Sequence, residues 1–67
     1  MSPNHHMRRP VPEDMAARVR AYVQRHGVRR ACEDLVVCAG TLDELRDGGL
    51  LRADTIARVA ARLGGLR

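Results

Sequence analysis

The side chains of this chain best equipped for chemistry are its arginines. Twelve of 67 residues are Arg and none is Lys, and against eight acids they leave a formal charge of +4. A guanidinium stays charged at any physiological pH, presents a fork of donors that fits phosphate oxygens, and releases condensed counterions when it neutralises a phosphate. A polyanion is therefore the expected partner. The plainer reading is a solvated basic surface, with the Arg bias reflecting GC-rich coding.

Two cysteines and three histidines are the remaining reactive groups. Cys32 or Cys38 with His26 has the composition of a thiol–imidazole nucleophile. The plainer assignments are a small core residue for Cys32 and a helix-end imidazole at the negative dipole end for His26. A domain this short offers no cleft of substrate size, so no catalytic residue and no enzyme activity are expected. A disulfide between Cys32 and Cys38 would close a trivial loop, and both are read as reduced thiols. His5 and His6 lack a third and fourth ligand at workable spacing, so neither metal nor cofactor is expected.

What must position these groups is a set of short helices. Pro12 can open a helix with Glu13 and Asp14 in its first turn, and Met15, Val19, Tyr22, Val23 and His26 then form one stripe that Gly27 ends, predicting a helix over residues 12–26. Val28, Ala31, Cys32 and Leu35 predict a second over 28–35. Leu42 and Leu45 seat a third over 39–47, stopped by Gly48 and Gly49. Leu50 and Leu51 form an apolar connector. Ile56, Val59, Ala60 and Leu63 mark a fourth stripe ending at Gly64 and Gly65, with Asp54 as its cap or in its first turn. No strand-like alternation of four or more residues occurs.

The expected fold class is thus all-α, a compact bundle of about four short helices containing a helix-turn-helix motif. Residues 1–10 are expected to be a flexible basic arm and residues 11–67 the domain. No window approaches the apolar length of a membrane span and the first residues lack the apolar core of a signal peptide, so no membrane partner and a cytoplasmic location are expected.

Residues 31–49, ACEDLVVCAGTLDELRDGG, have the helix-turn-helix layout: Cys32 as the small residue at the crossing, Val37 as an apolar plug, Leu42 and Leu45 beneath the second helix. Residues 19–63 resemble the helix-turn-helix domains of the phage Cro and repressor class, as found in small bacterial regulators. The resemblance lies in LVVCAGTL at 35–42 and TIARVAARLG at 55–64. It implies a duplex DNA-binding transcription regulator of bacterial or phage type, with Cys38 at the cap of the recognition helix. By the same match the reading positions are Ala39, Gly40, Thr41, Asp43, Glu44 and Asp47, with Arg29, Arg30 and Arg52 on phosphates and Arg8 and Arg9 as an extra contact. Val36 stands where the family has its turn glycine, so the turn is either built differently or strained.

Residues 36–48 carry three acids against the single Arg46, a net −2 inside a basic chain. The alternative function is therefore a helix-turn-helix repurposed as a protein–protein interaction module, its acidic third helix on a basic partner. RNA or single-strand readout is disfavoured because stacking needs aromatics and Tyr22 is the only one. A homodimer is expected, with residues 63–66 and the fourth helix as its contact.

Overall fold

Punctuation in the sequence decides where the helices begin and end. In the computed structural model, which describes residues 7–66, the order is β1 (Arg8–Pro10), α1 (Glu13–His26), α2 (Val28–Leu35), α3 (Ala39–Asp47), β2 (Leu50–Arg52) and α4 (Ala53–Gly65). Pro12 is the N-cap of α1 rather than its first residue, with Glu13 and Asp14 in the first turn. Gly27 takes φ 93° and ψ 162° between α1 and α2, a region only glycine reaches freely, and Gly48 closes α3 at φ 71° and ψ 29°. The four helices make the all-α bundle, and among the described residues none is long and apolar enough to cross a membrane.

One core joins the four helices and β2. Met15, Ala16 and Val19 enter it from α1, Ala31 and Leu35 from α2, Leu42 and Leu45 from α3, and Val59 and Leu63 from α4, while Val11 and Leu51 close it. No polar side chain among the described residues is buried in it. α1 packs on α2 and α3, and α2 also touches α3 and α4.

The stripes are narrower than their spacing predicts. Ala31, fully buried, is the small residue inside the α2–α3 corner, whereas Cys32 is half-buried. In α4, Ala60 is exposed and Ile56 half-buried. Tyr22 and Val23 are half-buried and His26 exposed, because α1 outruns the core it covers. Leu63 is buried in the chain's own core, and Leu66 is half-buried against it.

Part of the expected arm is a strand. β1 pairs antiparallel with β2 in the register Arg8↔Arg52, Arg9↔Leu51, Pro10↔Leu50. The flanking amides extend the clasp, Val11 N–H to Gly49 O at 3.0 Å and Ala53 N–H to Met7 O at 3.3 Å. Pro10, which has no N–H to donate, sits at the strand end. Alternation in β2 turns Leu51 inward and leaves Leu50 outside, so the predicted connector is inward-facing at one residue only. Residues 1–6, with His5 and His6, lie outside the described residues.

The turn of the motif is strained rather than rebuilt. Val36 lies at φ 58° and ψ 53°, the only non-glycine at positive φ among the described residues, with its side chain half exposed. The Val37 N–H reaches back to Cys32 O at 3.0 Å, so the reversal is hydrogen-bonded although its central residue is β-branched. Left-handed backbone costs an L-residue about 1–2 kcal/mol, more than glycine's extra chain entropy, about 0.5–1 kcal/mol. Val36→Gly should therefore stabilise the domain by up to about 1 kcal/mol, raising the melting temperature by about 4–8 °C per kcal/mol in a chain of this size. A lower melting temperature by circular dichroism would show that Val36 is not held left-handed.

Candidate nucleic-acid interface

The helix-turn-helix consists of α2, a three-residue connection over 36–38, and α3. Cys38 is the extended N-cap of α3 at φ −84° and ψ 169°, and Leu42 N–H bonds to its carbonyl at 2.9 Å. Cys38, Ala39 and Gly40 are exposed and Thr41 is half-buried. The Cys38 sulfur lies 3.3 Å from Thr41 Oγ1. That hydroxyl, with the Thr41 amide behind it, holds the thiol below its usual range. A Cβ at Gly40 would meet nothing within 4 Å, so this glycine costs α3 helix propensity with no packing contact in the chain to explain it.

The acids of α3 lie beyond this first turn. Asp43, Glu44 and Asp47 are all exposed, and at 1.5 Å per residue Asp47 stands about 12 Å along the axis from Ala39. Asp43 is paired with Arg46 at 2.5 Å. Glu44 leans over the C-terminal turn, where its carboxylate occupies the space a side chain at Gly49 would need. Among the described residues neither Glu44 nor Asp47 has an ion-pair partner. The Arg46 carbonyl accepts from Arg20 Nη1 at 2.8 Å, and Arg20 also holds Glu13 at 2.7 Å, which ties the end of α3 to α1.

The cations expected on phosphates fall in two places. Arg29 and Arg30 are exposed near the start of α2, where no acid stands in the first turn. Arg30 Nε bonds Asp34 Oδ2 at 3.0 Å, and Arg29 has no ion pair among the described residues. Arg52 is the N-cap of α4 and lies 3.3 Å from Asp54. The ribbon brings Arg8 directly opposite Arg52. That adjacency spans 44 positions and leaves no local signal in the sequence. Arg52 is thus grouped with Arg8, while Arg29 and Arg30 belong to α2.

Tyr22 anchors α1 to α2. Its hydroxyl donates to Asp34 Oδ2, the oxygen Arg30 also holds, and His26 packs on its ring at 4.4 Å between centroids. Donating to a carboxylate raises the Tyr22 hydroxyl pKa above its usual value, and accepting that bond, with Arg30 beside it, holds Asp34 below the usual carboxylate range. His26 and Tyr22 line a groove of about 230 Å³ between α1 and the end of α4; neither cysteine lines it. No group of three His, Cys, Asp or Glu side chains that could hold a metal occurs among the described residues.

The Tyr22–Asp34 bond makes a contribution to stability that depends on pH at both extremes. A depressed carboxylate stabilises the fold above its unfolded value, about pH 4, and that contribution is lost as pH falls through the lower folded value. A raised phenol stabilises below its unfolded value, about pH 10, and its contribution is lost as pH rises through the folded value. Tyr22→Phe should melt lower than the parent between these limits and should shed part of the dependence at each extreme. Equal melting curves across about pH 3 to 11 would refute the bond.

No family model matches the chain, and comparison with curated proteins and with solved structures finds no significant match either.

Proposed function

We propose that this chain is a cytoplasmic transcription regulator of bacterial or phage type that binds duplex DNA through α2 and α3. The first turn of α3 addresses base edges, and Arg29 and Arg30 take phosphates. The observation that carries this reading is the contrast between helix N-termini. The first turns of α1 and α4 carry Glu13, Asp14 and Asp54, which complement the positive end of the dipole. The first turns of the two motif helices carry no acid, and α2 places arginines there, against its own dipole. Phosphate groups would satisfy both ends. Gly40 fits the same picture, since a bare backbone in the first turn of α3 permits close approach to a base edge or phosphate.

A second reading draws on Glu44 and Asp47, which stand exposed on α3 and have no ion pair among the described residues. A carboxylate in the major groove is repelled by phosphates unless it accepts from cytosine N4, whereas a basic protein surface would complement both groups.

Fluorescence anisotropy on labelled duplexes tests the two. With four to six phosphate contacts, log K should fall with log salt at a slope of about −4 to −5, and Arg29→Ala with Arg30→Ala should make it shallower by about 2. Gly40→Ala should stabilise the fold by about 1 kcal/mol and yet weaken duplex binding. No association at about 50 mM salt, where screening is weak, would end the DNA reading and favour the protein partner.

A further inference from the structure

The β1–β2 ribbon gathers three arginines, of which only Arg52 is ion-paired among the described residues. In an antiparallel pair, directly opposed residues share a face with Cβ atoms about 4.5–5.5 Å apart, and like charges so placed destabilise the pair. Arg8 and Arg52 are opposed in this way and both are exposed. Arg9 follows on the next position, also exposed. The one carboxylate ion-paired to the ribbon is Asp54, which holds Arg52 from the α4 side, and among the described residues Arg8 and Arg9 have no ion-pair partner. Backbone bonds nonetheless clasp the ribbon at both ends, through Gly49 and through Ala53. The arginines are therefore held side by side by the main chain, whatever their repulsion.

We propose that Arg8 and Arg52 hold one backbone phosphate of a DNA duplex between them, making the ribbon a second contact surface beside the helix-turn-helix. The inference rests on the DNA reading above and extends it to a surface outside the motif. Continuity supports the placement, since β2 starts two residues beyond Gly48, the C-cap of α3, and packs against both α3 and α4. A phosphate between the two guanidiniums turns the unfavourable cross-strand pair into a charge-assisted bridge. The contact carries no base information, so it contributes affinity and register in place of sequence choice.

Three full-length variants test it: Arg8→Gln, Arg52→Gln and the double substitution. Without DNA at low salt, Arg8→Gln should melt no lower than the parent, because it relieves repulsion. On duplex, each single variant should weaken preferred and random sequences by a similar factor and make the salt slope shallower by about 0.9, the value for one phosphate. The double variant should lose about the same 0.9, because the two arginines share that phosphate. An unchanged slope in Arg8→Gln while the parent binds would overturn the ribbon contact and leave the DNA reading standing. A double variant that loses about twice as much would overturn the sharing, and a lower melting temperature for Arg8→Gln would make Arg8 a support of the fold. If the parent itself binds no duplex, the DNA reading falls and the ribbon contact falls with it.

Discussion

The left-handed backbone at Val36 is the constraint on which the rest of the molecule depends. It reverses the chain between α2 and α3, and only after that reversal can Leu35 and Leu42, both fully buried, enter one core. Leu45 follows on the same face of α3, and α1 lays Met15, Ala16 and Val19 across both helices. The conformation is held although a β-branched residue occupies it, because the core formed on either side outweighs a strain of about 1–2 kcal/mol. Against the roughly 5–15 kcal/mol by which native domains are stable, that strain is a sizeable fraction.

The same economy shapes the ribbon. A core with no Phe or Trp and four short helices leaves an open end, which Val11 and Leu51 close at 5% and 7% exposure. Closing it requires the chain before α1 to run beside the chain after α3, and unpaired amides there would be costly to bury. The β1–β2 hydrogen bonds answer that need. Arg8 is carried into place by this requirement, so a positive surface arises beside the motif as a consequence of sealing the core.

Charge is distributed by role along the chain. Arg20, Arg30, Arg46 and Arg52 each hold a carboxylate, and these pairs brace α1 to itself, α2, α3 and the start of α4. Exposed pairs of this kind contribute little energy individually, but they determine which arginines remain free for an outside partner. Arg30 is the link between the two tasks. It shares Asp34 with the Tyr22 hydroxyl, so the side chain near the start of α2 is oriented by a contact from α1. On α3, Asp43 is likewise engaged with Arg46, which leaves Glu44 and Asp47 as the outward acids and the first turn free of charge.

Local chemistry by itself determined the helices of this protein. Pro12, Gly27 and Gly48 act through the backbone of their own residue, and periodic apolar positions act through neighbours within two turns, so the helix limits and the burial of Leu42 and Leu45 were legible residue by residue. The first turn of α3, from Cys38 to Thr41, was legible for the same reason. What only the tertiary structure decided is whatever depends on distant partners. Three-residue strands are too short to show alternation, and their pairing depends on Leu51 finding the core, so the ribbon and the Arg8–Arg52 adjacency had no local signature. The spacing of Leu63 and Leu66 leaves open how deeply each is buried, and only the packing of α4 puts Leu63 in the core with Leu66 half-buried against it. Val36 shows the limit most directly: its side chain argues against positive φ, and the burial of Leu35 and Leu42 in one core on either side of it holds it there.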